Sequence, residues 1–419
     1  MELVLSIVGY FVMLGIAVAL SRNRRAIKAK VVIAGIVSQW LLAVLLLRVE
    51  GGSAVLQAVA GAVQGILDHA LVGSGFVYGE LGKMGGGAYG EVLSQVSEQP
   101  NPGIIFAFQV LPTIVFIATL FGVLYYLGVM QAIVKVMAKA MVRLFGVSGA
   151  EALAVAASVF MGQSEAPLTI RPYLASLTES ELFCVVVAGM ASVSGAILGA
   201  YVMIGGVEMA HLLTVVAMTA PISLTISKII VPETEVPETA GVVTAAPIEN
   251  SVNVLDAASS GAIDGLKLAV NVGAMLIAFI ALVSLLNAML SVIPMDGAPL
   301  TLERMLGWLF APLALLMGIP WTEAQTVGSI LGTRTVVNEI VAYQQLAQAK
   351  DILSERSVAI ATFAICGFAN LGSIGIQIGG LGALVPERKS DIARMGVYAL
   401  IAATLANFSS ACIAGALMP

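Results

Sequence analysis

Two acidic residues define the chemistry this sequence could do. Glu165 stands in Gly162-Gln163-Ser164-Glu165-Ala166-Pro167 and Glu339 in Asn338-Glu339-Ile340-Val341-Ala342-Tyr343, each amid long apolar stretches. A carboxylate at the centre of a membrane helix costs ~2.5–3.5 kcal/mol on insertion scales, so both need an explanation. Such a group can accept hydrogen bonds from a hydroxyl-rich solute, bind a coupling cation, or change protonation as the solute moves. The plainer alternative is burial beside Arg171 or Arg334. Neutral donors and acceptors accompany the pair: Gln163 and Ser164 beside the first, Asn338 beside the second, Asn370 and Ser373 downstream. That inventory suits a polar, uncharged molecule. Phe368, two residues before Asn370, offers a face for a planar ring.

Other reactive types add little. Cys184, Cys366 and Cys412 each lie inside an apolar run, and His69 and His211 are far apart, so neither a disulfide framework nor a zinc site follows. No clustered nucleophile, metal motif or cofactor motif joins the glutamates, which argues against a membrane enzyme using them as an acid–base pair. A channel fits poorly too, because the polar residues gather at two points and do not form rings along a pore.

The elements that hold these residues follow from composition. Of 419 residues 59% are apolar and 11% charged, with a net charge of −5. Soluble domains have about 45–50% and about 25%. There is too little charge to solvate a surface of this size, which excludes a soluble enzyme, a disordered chain or a nucleic-acid binder. The expected fold class is an all-α polytopic membrane protein. Crossing a ~30 Å bilayer core takes about 20 apolar residues. Eight such stretches are centred on 3–21, 31–49, 104–127, 182–204, 209–231, 268–293, 357–381 and 393–417.

The first stretch is followed by Arg22, Arg24, Arg25, Lys28 and Lys30, the reverse of a secretory signal, so it is expected to be a retained helix with its N-terminus outside. Threading the chain from there places Lys135, Lys139, Arg143, Lys228, Lys267, Arg388, Lys389 and Arg394 on the cytoplasmic side of the inner (plasma) membrane. Only Arg48, Lys83, Arg304, Lys350 and Arg356 fall outside, as the positive-inside rule requires. Residues 55–67 and 131–145 have apolar stripes at helical spacing and are expected to lie in the interface. Val231–Asn250, with three prolines and four glutamates, reads as a linker, and Gly85–Gly87 as an outer loop.

Two segments are too short or too polar to cross. Ala150–Met161, roughly 18 Å of helix, stops at Gly162–Pro167 and resumes at Leu168. Ala324–Leu331 gives way to Gly332-Thr333-Arg334-Thr335 before Val336–Tyr343. Both read as re-entrant hairpins, spanning 148–180 and 320–350, and irregular backbone at that depth is tolerated only where protein or a water-filled cavity covers it. They also repeat: Phe145-Gly146-Val147 with Glu151-Ala152 matches Met317-Gly318-Ile319 with Glu323-Ala324; Ser158-Val159 answers Ser329-Ile330; Gly189-Met190-Ala191-Ser192 answers Gly367-Phe368-Ala369-Asn370. Three crossings separate the copies, so they are inserted in opposite orientations. The expected organisation is an N-terminal scaffold over 1–101, a first repeat over 102–265 and a second, inverted repeat over 266–419. Inverted repeats with discontinuous helices point to a secondary transporter with its site at the repeat interface.

From about residue 100 onward the sequence resembles the concentrative nucleoside transporters, through Gly162–Leu168, Asn338–Tyr343 and Gly367-Phe368-Ala369-Asn370-Leu371-Gly372-Ser373. The resemblance implies a homotrimer in membrane lipid that imports nucleosides in symport with a cation, by alternating access, with no other cofactor. It implies that Gly162, Gln163, Ser164 and Glu165 meet the base side of the nucleoside. Ile197 and Phe368 would line the site, and Glu339, Asn370 and Ser373 would hold the ribose. Sodium-coupled members have an asparagine four residues before the hairpin glycine and a serine in the following helix, with main-chain carbonyls completing the shell. Here those positions are Ser158 and Ser192, with Met161 and Val193 supplying the carbonyls. Serine is a shorter and weaker oxygen ligand than a carboxamide, so proton coupling through Glu165 or Glu339 is expected, with sodium the alternative. A carrier for another small polar solute, such as a nucleobase or sugar, is the other reading of the same site.

Overall fold

The computed structural model describes residues 2–83, 85, 87–96, 105–243, 251–292, 294–295 and 298–418. Part of the Gly85–Gly87 run, the linker beyond residue 243 and the expected boundary at 101 lie outside them. In chain order the helices are α1 (Glu2–Ala19), α2 (Ala29–Leu47), α3 (Glu50–Tyr78), α4 (Gly87–Val96), α5 (Leu111–Tyr126), α6 (Val129–Phe145), α7 (Gly149–Ala157), α8 (Glu179–Ala191) and α9 (Gly195–Gly205). The second part holds α10 (Met209–Ile230), α11 (Val254–Leu290), α12 (Leu302–Leu316), α13 (Trp321–Val336), α14 (Glu339–Gln348), α15 (Glu355–Ile365), α16 (Leu371–Leu384) and α17 (Lys389–Leu417). A two-residue ladder pairing Pro294-Met295 with Ala298-Pro299 is the strand pairing among the described residues.

Eight helical stretches are long and apolar enough to cross a membrane by length and composition. They are not quite the expected eight. The helix expected over 55–67 is the 29-residue α3, which meets that criterion. Its contacts nevertheless lay it across one end of the bundle. Leu56 and Gln57 sit beside Arg48, His211 and Leu417, while Ser74 donates to the carbonyl of Phe108 in the turn just before α5. The stretch expected as one span over 357–381 is broken at Cys366–Asn370 into α15 and α16, and 182–204 is broken at Ser192–Ser194 into α8 and α9.

Without a hydrophobic driving force between helices in lipid, close approach depends on small residues. On α11, a Cβ on Gly261 would sit 2.9 Å from the Thr119 Cα of α5, so those two backbones touch. The central helices are α8–α9, α10 and α17, whereas only 6% of the most apolar stretch of α11 is buried.

The repeat matches correspond to real structure. Gly146 ends α6 with φ +73°, and Gly318 follows α12 with φ +91°, both left-handed positions that glycine takes without strain. After each glycine the chain re-enters the bundle. Ser148 and Glu151 form a capping box that starts α7, and Thr178 and Glu181 form another that starts α8. Hairpin 1 enters at the end where Arg22 meets Glu179; hairpin 2 enters at the end where Arg356 reaches Glu2 at 3.1 Å. Since α1 runs from one end to the other, the copies are inverted. The third match lands on both helix breaks but two residues out of step, because the N-cap position of α9 is Ser194 and that of α16 is Asn370.

The hairpin interiors differ from expectation. In hairpin 1 the first limb stops at Ala157, and the chain continues through turns into a 3-10 stretch, Ala166–Tyr173. In hairpin 2 the helix does not break at Gly332–Thr335 but runs on to Val336, leaving only Val337 and Asn338 between α13 and α14. The physical reason is that Arg334 is fully buried against α17 and Thr335 bonds back to the Leu331 carbonyl at 2.9 Å.

Candidate functional site

Four separate elements meet near the bundle centre. Asn338 caps α14 by accepting from the Val341 amide at 3.0 Å, which fixes Glu339 in the first helical turn. There a carboxylate is favoured by the helix dipole. Glu339 Oε1 accepts from the Tyr201 hydroxyl at 3.1 Å, and Oε2 from Asn370 Nδ2 at 3.2 Å. Both partners are neutral. Asn370 in turn caps α16 by accepting from the Ser373 amide at 3.0 Å. Ser373 Oγ then accepts from Gln163 Nε2 of hairpin 1 at 3.1 Å. The chain Tyr201–Glu339–Asn370–Ser373–Gln163 therefore links α9, α14, α16 and the hairpin 1 tip by hydrogen bonds alone. Gln163 Oε1 and both ends of the Gln377 amide are buried without partners beside it.

Glu165 is placed differently. It is exposed, takes a hydrogen bond from the Gly162 amide at 3.3 Å, and lines a cavity of about 560 Å³ with Tyr125, Gln131, Phe160, Ser194 and Asp264. Ser164 is exposed beside Gly380 of α16. The two glutamates thus occupy different surroundings, one sealed and one open. Ile197 is buried in α9 and does not line that cavity, although its neighbour Ala196 does. Phe368, in the α15–α16 break, donates its amide to the Ser192 carbonyl at 3.2 Å, so the two helix breaks touch.

Of the positions matched to a sodium shell, Ser158, Met161, Ser192 and Val193 are all buried where hairpin 1 meets the α8–α9 break. The Ser158 hydroxyl donates to the Val155 carbonyl of its own helix at 2.9 Å, and Ser192 Oγ is buried without a partner.

The sequence did not single out two important groups. Tyr201 stacks on Tyr343 with centroids 4.4 Å apart, and Tyr343 donates to the Thr362 carbonyl at 3.2 Å, so Glu339 is held by an aromatic pair that is itself anchored. Asn407 of α17 donates to the carbonyls of Ala191 (2.8 Å) and Cys366 (3.0 Å), one at each helix break. Its Oδ1 accepts from Arg334, which also donates to Thr404 at 3.1 Å. The Arg334 guanidinium is thereby engaged by α17. A polar residue in the apolar run Ala406–Ala416 was the available signal for Asn407. Nothing local marked Tyr201.

Three family models match the chain: the Na+ dependent nucleoside transporter N-terminus over residues 8–81, nucleoside recognition over 107–208, and the Na+ dependent nucleoside transporter C-terminus over 211–415. A transporter of Haemophilus influenzae is 41% identical, over 99% of this chain and 98% of its own. The nucleoside permease NupC of Helicobacter pylori is 39% identical, over 98% of this chain and 96% of its own. Among solved structures, CNTnw in an inward-facing substrate-bound state superposes over 100% of both chains with a TM-score of 0.91 at 40% identity.

Proposed function

The chain belongs to the concentrative nucleoside transporter family, and we propose that it imports nucleosides across the plasma membrane in symport with a cation by alternating access. The observation that carries this reading is the bonded chain from Tyr201 to Gln163. It draws donors and acceptors from both repeats to one buried point, as the site of an inverted-repeat carrier requires. Glu339, Asn370 and Ser373 take the ribose, whose neighbouring hydroxyls both donate, and a carboxylate accepts two such bonds at once. Gln163, Ser164 and Glu165 face the base edge, with the Gly162 amide beside them, and Ile197 and Phe368 bound its faces. When solute binds, the Gln163–Ser373 bond is exchanged for bonds to it.

The end bearing Arg22, Lys228, Arg388 and Arg394 is the cytoplasmic one on the positive-inside rule, which puts the N-terminus outside. The assembly is a homotrimer by family likeness, with the remaining apolar face of each copy in lipid. The coupling ion is a proton, taken by Glu165 or Glu339. What supports this over sodium is Ser158, a short side chain whose hydroxyl is turned back onto its own helix.

Uridine accumulation in proteoliposomes under a proton gradient, a sodium gradient or neither tests the proposal. Accumulation under the proton gradient alone is expected. Full dependence on sodium across a wide pH range would reject proton coupling. No accumulation under any gradient, or competition by uracil or ribose alone as strong as by uridine, would move the substrate to a nucleobase or sugar.

A further inference from the structure

The cavity that Glu165 lines reaches well beyond the hairpin tips. Its other walls are the second half of α5, the start of α6 and the first half of α11; since α5 begins at the far end, where Ser74 meets Phe108, and α6 ends with Gly146 beside Lys30, the cavity lies toward the end of the bundle that holds Arg22 and Lys228. At about 560 Å³ it is of the size that holds a small-molecule ligand. Three residues of its lining, Tyr125, Gln131 and Ser194, each carry a buried side-chain oxygen (Oη, Oε1 and Oγ) without a hydrogen-bond partner. Gln131 is not free to swing its amide away, because its Nε2 donates to the Tyr125 carbonyl at 2.7 Å, which leaves Oε1 as the end of the amide without a partner. With the carboxylates of Glu165 and Asp264, the lining is rich in acceptors, and the rings of Phe121, Tyr125 and Phe160 supply flat apolar walls. A lining of that kind suits a solute that has a planar ring and several O–H and N–H donors.

Resting on the transport reading above, we propose that Tyr125 and Gln131 form a second solute subsite, on the wall opposite hairpin 1, which receives the nucleoside as it leaves the hairpin-tip site toward the cytoplasm. Glu165 is common to both subsites: it releases the solute from the one and hands it to the other. The hydrogen bonds made at Tyr125 and Gln131 replace those lost at Asn370 and Ser373, so the solute leaves without passing through a state in which its polar groups are unsatisfied. Such a subsite acts on one face of the membrane only.

That sidedness gives the test. Uridine transport is measured in right-side-out and everted membrane vesicles for the unaltered protein, Tyr125→Phe and Gln131→Leu. Tyr125→Phe removes one bonding atom from the subsite and Gln131→Leu removes the whole amide with its bond to the Tyr125 carbonyl, while both leave the bonded chain around Glu339 intact. The apparent KM for uridine presented at the cytoplasmic face is expected to rise about three- to tenfold, the loss of one hydrogen bond, while KM at the outer face moves less than about twofold. Equal shifts at both faces would mean that the substitutions loosen the protein as a whole, and no shift at either would mean that the cavity is only a passage; either result overturns the subsite. Absence of uridine transport by the unaltered protein would count against the transport reading itself.

Discussion

The two hairpins are copies of one unit, yet they present their glutamates in opposite ways. In hairpin 2 the break is two residues long, Glu339 sits in the first turn of α14, and both its oxygens are held by neutral donors from other elements. In hairpin 1 the chain between Ala157 and Ala166 is irregular, and Glu165 faces open space with one bond from a nearby amide. The roots differ as well: hairpin 1 is fastened by a buried group in which Lys228 meets Glu151 at 2.5 Å and Glu233 at 3.4 Å, whereas Glu323 of hairpin 2 caps the exposed Ser354. A fixed, pre-bonded carboxylate suits the part of a solute that never varies. An open one suits a part that varies, or a proton that must come and go.

The sharpest way to break this contrast is at the sealed glutamate. Glu339→Gln loses the charge that accepts two bonds, and uridine uptake is expected to fall about a hundredfold or more with the protein still folded in the membrane. Near-normal uptake would remove the anchoring role. Tyr201→Phe deletes one of the two donors and leaves the stacked ring, so uptake at low uridine should fall about tenfold, through KM more than the maximal rate. Glu165→Gln tests the open side: exchange of uridine down its gradient is expected to stay within about threefold, since a carboxamide still accepts one bond, while accumulation driven by a proton gradient is lost. If downhill exchange collapses as it does in Glu339→Gln, the two glutamates do the same work and the contrast fails. The smallest effect is expected from Ser158→Asn, which restores a carboxamide oxygen at the hairpin break; sodium should then stimulate uptake by a few-fold, read as the ratio of rates with and without sodium at fixed pH.

Much of this arrangement was legible in the sequence wherever a polar residue interrupts an apolar run. The hairpins and the positions of Glu165, Glu339 and Asn370 follow from that one cost, which is large in a membrane and small in water, and the opposed insertion from the repeat and the three crossings between its copies. The left-handed Gly146 and Gly318 were visible as a repeated triplet because no other residue ends a helix there as easily. What escaped depends on side chains that are distant in sequence. Arg334 looked like part of an unwound tip, yet its guanidinium is bonded to Thr404 and Asn407 of α17, about seventy residues on, and its helix continues. Tyr201 has no local mark, since a tyrosine among apolar residues is ordinary packing until a carboxylate arrives beside it. The length of α3 escaped for a related reason: an amphipathic stripe fixes which face is buried, not where a helix ends.

The inversion of the two copies has a thermodynamic corollary. If the molecule consisted of two identical repeats, the conformations open to the two sides of the membrane would be related by a two-fold rotation and equal in free energy, and the empty carrier would divide its time evenly between them. Every preference for one side must therefore arise in the N-terminal helices, which have no copy, or where the copies differ: three residues in one helix break against five in the other, a buried lysine at one root against a capped serine at the second. The resting bias of the molecule is thus written in its departures from symmetry, and exchanging those few features between the halves is a rational way to turn it around.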